Sequence, residues 1–396
     1  MLAQILAAHW QFLTGRAGGR RANLTYCDLS NWDLEGVDLR EAEFTGARLS
    51  GALLSRSKLD RALLFGCDLR NADLREASLV KTDLRGACLR GANLSGANLA
   101  GCDLREGLLA MADPTEGLRI LTHDRRPGEL NYAIVTGVNL EGAQMSGTCA
   151  VAADFSDANL SGASFSRAKL NKAVFDGADL TGVDLHQADM TGASLKRAIL
   201  TGVDISSADL RGADLSGALT APPLSVYIDD KPLEQVVADH EEWCKSEGAG
   251  GALAKLAEAD FRSLRSLAGR HLTGLNARGG VFYGMNLQGA QLQGADLSGA
   301  DLRTTNLRDA DLRGVKLMDA DLTRADLRGA KLGPLLITDD RYVRADLSRA
   351  RLRAADLRGA SLLRARMIET DLEGAQLLGA DLTRAEMDVA ASGRGA

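Results

Sequence analysis

Large apolar residues recur at every fifth position along most of the chain. They stand at Leu24, Leu29, Leu34, Leu39, Phe44 and Leu49, and continue without a miss to Leu109. A second run spans Leu140 to Leu215 with only Ala150 weak, and a third begins at Phe282. Two positions before each centre sits a small residue, as at Ala22, Cys27, Ala42 and Ala47. Glycine favours the position two after it, as at Gly36, Gly46 and Gly51. A period of five suits neither regular element. At about 100° per residue, every fifth side chain scatters around a helix, and in a strand successive ones point to opposite faces. All the centres face one way only if the chain turns a corner in every repeat, and glycine tolerates corner geometry. Four corners close a square. The spacing therefore predicts an all-β solenoid of about 20 residues per coil, with coils stacked about 4.8 Å apart.

The tandem A-(D/N)-L-x-x units carry a further signal. The stretch "ADLREASLVKTDLRGACLRGANLSGANL", from Ala72 to Leu99, resembles the pentapeptide-repeat proteins, and the resemblance covers most of the chain. It implies a right-handed quadrilateral β-helix, with the handedness coming from the family. It also implies a protein that works by presenting surfaces. Some members protect type II topoisomerases by imitating DNA, through a strongly acidic face and a dimer built on a C-terminal element.

The ends of such a tube need covering, because open rungs and apolar interior invite association. Residues 2–13, "LAQILAAHWQFL", place Leu2, Ile5, Leu6, His9, Phe12 and Leu13 near one helical face, which predicts a capping helix. A similar stretch returns at Val236, where His240 matches His9 and Trp243 matches Phe12. Two modules follow, each a short capping α-helix before a β-helix. The first takes residues 1–219 and is interrupted at 110–134 by a loop, since Leu109 and Leu140 are 31 positions apart and the phase slips by one. Residues 220–281 are expected to form a linker and the second capping region, and 282–396 the second β-helix with a short tail. The stretch "GPLLITDDRYV" keeps the count, because Leu332 and Leu347 are 15 apart. Ile337 and Tyr342 then fall on centre positions of one continuous tube running from Phe282 to Met387.

Composition narrows the function. Of 396 residues, 47 are basic and 53 acidic, for a net charge of −6. No segment is basic enough for a nucleic-acid footprint, so no direct nucleic-acid contact is expected. Residues 136–220 hold 10 acids against 6 bases. There Asp184 stacks with Asp204 and Asp189 with Asp209, while Asp154 and Asp214 share a third face with gaps between them, which opens the alternative of a DNA-mimic inhibitor or protector of gyrase. The tail after Met387 is too short to supply the dimer element that such members use.

The Asp-Leu-Arg units, such as Asp68-Leu69-Arg70 and Asp83-Leu84-Arg85, read as a solvated, balanced ladder rather than a phosphate-binding stripe. His9 and His240 read as residues buried against the first coil. Cys27, Cys67 and Cys102 occupy the small inward position, while Cys88 and Cys149 sit beside a centre. No metal, redox or phosphate-binding motif appears, so neither a cofactor nor an enzymatic activity is expected. No apolar run reaches the roughly 18 residues of a membrane span, and a cytoplasmic protein is expected. The reading is a scaffold for a protein partner, with association through tube ends as a further option. The candidate contacts are the non-repeat residues His123, Asp124, Arg125, Arg126 and Tyr132 in the first loop, and Asp339, Asp340, Arg341 and Tyr342 in the second stretch.

Overall fold

The protein is described from a computed structural model covering residues 2–113, 117–338 and 341–388. Its chain forms two compact units, Met1–Ala221 and Pro222–Ala396. In the first, helix α1 (Leu2–Leu13) precedes the repeats and packs Leu2, Ile5 and Leu6 against the core. Parallel bridges then join residues 20 apart, as Asn23 to Glu43, Asp28 to Arg48, Asp33 to Leu53 and Asp38 to Lys58. Each coil thus has four sides of five residues. Three hydrogen bonds per side tie it to the next coil, one of them from the corner residue, as Gly66 N–H to the Arg85 carbonyl at 2.9 Å. Leu64 donates its N–H to the Asp83 carbonyl at 2.8 Å, and Asp83 donates back to the Ala62 carbonyl at 3.1 Å.

The corners follow one scheme. Cys27 N–H donates to the Leu24 carbonyl at 3.1 Å, closing a turn. The residue two past the centre takes a left-handed φ, +67° at Gly36 and +63° at Glu41. That geometry favours glycine at such a corner, and a non-glycine residue there costs roughly 1–2 kcal/mol. The ladder imposes it at Glu41, Arg61 and many other corners all the same.

Every inward position is filled. Centres such as Leu64, Leu69 and Leu84 are fully buried, and Ala62, Cys67, Ala72 and Ala87 fill the gaps between them. Burial pushes the Cys67 thiol up to about 12. Where the gap holds a hydroxyl it bonds inward, as Thr82 Oγ1 does to the Leu59 carbonyl at 2.9 Å. Phe155 and Phe175 stack at 5.0 Å, with Phe165 edge-on to both.

Two expectations about the first interruption change. Leu109 is not a centre: it lies in strand β1 (Gly107–Asp113), which leaves the tube and pairs antiparallel with β2 (Gly117–Arg126). The ladder resumes at Glu129, bridged to Cys88, and Leu130 is already a buried centre. The excursion is therefore a hairpin that ends before residue 134. Leu104 and Leu130 are 26 positions apart, 21 more than one repeat, which accounts for the slip of one.

The second unit holds a short ribbon, β3 (Tyr227–Ile228) with β4 (Lys231–Pro232), and helix α2 (Leu233–Lys245). Its ladder begins earlier than expected. Lys255 bridges Asn276 and Asp260 bridges Val281, inside the segment read as linker and cap. These two steps are 21 residues long, and the extra residue is taken up in a 3-10 turn at Phe261–Ser263. From His271, paired with Gln291, the step is 20. The centre at 277 is Ala and the small position before it is Leu275, so the two sizes are exchanged and both are buried. Phe261 and Phe282 stack at 4.1 Å.

The count across "GPLLITDDRYV" hides a second excursion. Lys316 bridges Asp346, a step of 30 instead of 20. The ten extra residues form a hairpin, β5 (Leu335–Thr338) with β6 (Arg341–Val343). Ile337 and Tyr342 are not centres: they are 55% and 37% exposed. An insert of two repeat lengths keeps the phase, so counting cannot separate it from two degenerate repeats.

Two tests follow. Leu84→Ala should cost ~2–5 kcal/mol in urea unfolding, because the rungs above and below prevent the site from collapsing. Excising residues 334–343 restores an unbroken five-residue beat and should leave the circular dichroism unchanged and the unfolding free energy within about 1 kcal/mol. Loss of the β signal would show that the hairpin is part of the tube wall.

Candidate interaction surface

The two hairpins are the principal departures from a regular surface, and each leaves the tube without breaking the ladder below it. At the first, Arg126 lies opposite Gly107 and Arg125 opposite Leu108 in the antiparallel register. The return passes through Gly128, where an added Cβ would stand 2.1 Å from the Leu104 carbonyl oxygen. Only glycine fits there, and the backbone re-enters the tube at that point. At the second, Gly314 lies under the hairpin at φ +68°, and a Cβ there would meet Leu335 Cβ at 2.7 Å.

The sequence candidates divide accordingly. His123, Asp124, Arg125 and Arg126 all lie on β2 of the first hairpin. Tyr132 does not belong with them. It occupies a corner of the coil after the hairpin, with φ +60°, and its ring lies beneath the Arg90 guanidinium at 5.6 Å. Asp339 and Asp340 lie outside the described residues. Arg341 and Tyr342 are on β6, where Tyr342 pairs with Leu336 and Arg364 covers its ring at 5.2 Å. Hydrogen bonding to Arg344, with Arg364 nearby, holds its phenol below the usual tyrosine value. The residues missed by the sequence reading are Leu336, Ile337 and Val343, which leave three more large apolar side chains exposed on this hairpin.

Beside the root of the first hairpin an opening of about 480 Å³ is lined by Arg70, Cys88, Arg90, Glu129, Asn131 and Cys149. Cys88, Glu129 and Cys149 are successive members of one column. The Cys88 thiol donates to Glu129 Oε2 at 3.3 Å, and burial, with the carboxylate, raises its pKa. Both cysteines are half-buried. Among the described residues, no three His, Cys, Asp or Glu side chains form a metal-binding group. No described helix is long and apolar enough to cross a membrane.

The charged faces are largely self-neutralised. All ten Asp-Leu-Arg triplets, and Asp260-Phe261-Arg262, close the same fork. At Asp73 and Arg75 the guanidinium donates to Oδ1 at 2.8 Å and to Oδ2 at 2.6 Å. The Arg75 backbone N–H also donates to Oδ1, at 3.2 Å. The paired arginine holds Asp38, Asp68, Asp73, Asp326 and Asp356 below the ordinary carboxylate value. Arg90 follows Cys88 instead of Asp, has no fork, and turns to Tyr132. In the acidic segment, Asp209 is forked by Arg211 and Asp214 lies 3.4 Å from Lys196.

The sign of the pH dependence follows from those carboxylates. Their contribution is present above the unfolded carboxylate value and is lost as pH falls through the lower folded values. The β signal should therefore persist to about pH 4 and fade below it. Acid titration by circular dichroism checks this, and loss of the β signal near neutrality would contradict it.

The family model for pentapeptide repeats matches in eight copies, at residues 20–56, 57–96, 129–162, 151–187, 178–217, 271–303, 295–333 and 345–384. No curated protein matches the sequence. Among solved structures, the chain is similar to QnrB1, a plasmid-mediated fluoroquinolone resistance protein, at 20% identity and TM-score 0.30, over 49% of this chain and 91% of that one. HetL from Nostoc sp. strain PCC 7120, involved in heterocyst differentiation regulation, is 24% identical at TM-score 0.14, over 95% and 93% of the two chains. Rfr23 from the cyanobacterium Cyanothece 51142 is 24% identical at TM-score 0.21, over 34% and 89%.

Proposed function

The chain belongs to the pentapeptide-repeat family, and from that premise we propose that it is a non-enzymatic, cytoplasmic scaffold for a protein partner. In this reading it has two modules, each closed at its start by a capping helix, α1 or α2. The partner is held by flat faces and by the hairpins, with His123, Asp124, Arg125 and Arg126 on the first and Arg341 and Tyr342 on the second. Tyr132 contributes from the corner beside the first. Asp339 and Asp340 belong to the same proposal from sequence alone. Association of copies through tube ends is part of it.

The observation that carries the reading is the pair of hairpins. Each is built outward while the rungs below it stay joined, so neither is needed to complete the ladder. Connections that leave a rigid scaffold are where binding residues concentrate. The second hairpin exposes Leu336, Ile337, Tyr342 and Val343 together, against a tube that hides nearly all its large apolar side chains. The gyrase-inhibitor alternative draws less support, because two acids of its proposed face, Asp209 and Asp214, are paired with Arg211 and Lys196.

Deleting residues 106–126 brings Leu104 and Leu130 to a five-residue spacing and should leave folding intact. Pull-downs from the native cell should then lose at least one partner that the full chain retains. Retention of every partner by this variant and by the 334–343 deletion would remove the hairpins from the proposal. A gyrase supercoiling assay separates the alternative: the scaffold reading expects no inhibition and no protection.

A further inference from the structure

His9 and His240 occupy matching points of α1 and α2, and each is 0% exposed. Each presents Nδ1 to the backbone N–H of the residue just before the first rung of its ladder. Ala22 donates to His9 at 3.0 Å and Ala254 to His240 at 3.2 Å. Each ring also stacks on the aromatic residue three positions on, Phe12 at 5.9 Å and Trp243 at 6.0 Å. A ring nitrogen that accepts from an amide carries no proton. Both rings must therefore be neutral, with the proton on Nε2. The Arg40 carbonyl faces the His9 ring, although Nε2 makes no hydrogen bond there. Around His240 are the carbonyls of Leu272 and Thr273, with Cys244 Sγ at 3.6 Å from Nε2.

We propose that His9 and His240 are twin acid-sensitive latches, each holding its helix on the first coil while neutral and releasing it when protonated. Protonation removes the acceptor and leaves a charge in a fully buried site. The surroundings do not supply a dedicated counter-ion. Asp38 and Glu41 face His9 and favour its charged form, while Arg21 opposes it; Asp38 is forked by Arg40, and Arg21 is paired with Glu43. On α2 and the coil beneath it, Glu241 is paired with both Lys245 and Arg270, and burial keeps the Cys244 thiol protonated. Burial holds both imidazoles below their ordinary value.

The sign is fixed by which form binds the proton. Above about pH 6.5, latched and released forms are both neutral and the latch is at full strength. Below it the released form takes up a proton and the latched form does not, so the latch weakens as pH falls. The arginine-paired Asp38, Asp68, Asp73, Asp326 and Asp356 are held below the ordinary carboxylate value of about 4. In the interval the helices come away from intact tubes. Asp38 and Glu41 favour the charged His9 ring in place and so reduce the acid sensitivity of that latch, an offset that no carboxylate gives His240.

The test uses the full chain with isotope-labelled histidine. NMR should show His9 and His240 as the Nε2–H tautomer, both titrating below the ordinary histidine value of about 6.5. Trp10 and Trp243 ride on the two helices, while Trp32 reports on the tube. By about pH 5 the Trp10 and Trp243 signals and the helical circular dichroism should be mostly lost, with Trp32 unchanged. In the double variant His9→Asn/His240→Asn, the amide oxygen can accept the same N–H and does not titrate, so the helices should stay in place across that range. The proposal fails if Nδ1 is protonated, if both rings titrate at the ordinary histidine value of about 6.5, or if the double variant sheds its helices at the same pH as the parent. Should the variant not fold, the tautomers and titration of the parent decide alone.

Discussion

Everything in this molecule depends on the parallel rung. A centre donates its N–H to the coil above, and that coil donates back to the carbonyl of the small residue below. The cycle fixes a 20-residue step, a corner every five residues and one inward row of side chains. It also explains why left-handed φ values occur at Glu41 and Arg61, where glycine would be easier. A single corner could relax, but a corner locked between two others cannot. The strain is held by the hydrogen bonds on both sides, as strained backbone is where its surroundings over-determine it.

The same constraint governs what was legible. Period five excluded helix and flat strand before any coordinates, and it placed almost every buried residue of the first tube. Excursions were legible only when their length was not a multiple of five. The 21-residue insert shifted the phase and announced itself, whereas the ten-residue insert did not. A second signal was present there. The inward small positions before Ile337 and Tyr342 hold Leu335 and Asp340 instead of the usual alanine. The early start of the second ladder was blurred for a similar reason. One extra residue at Phe261–Ser263 and the Leu275/Ala277 exchange disguise coils that the bridges make plain.

The candidate site was harder to read, because it consists of what the repeat does not specify. His123 to Arg126 were found by being off the beat, and they do lie on a hairpin. Tyr132 was also off the family pattern, yet it sits in a corner of the tube, held under Arg90. The charges show the opposite case. Each Asp-Leu-Arg triplet looks like an exposed acid and an exposed base in sequence. The two-residue spacing folds them onto each other, so the faces carry less free charge than the composition suggests.

The exchange at Leu275 and Ala277 has a consequence for how such a sequence can vary. The interior accepted a large residue where a small one belongs because its neighbour shrank by the same amount. At this pair the tube therefore accepts the combined volume of the two neighbours, whichever of them is the larger. Changes at paired inward positions should be strongly non-additive, each harmful alone and tolerated together. Substitution histories in this interior would then move in correlated pairs two residues apart, a covariation that arises from local volume and carries no information about distant contacts.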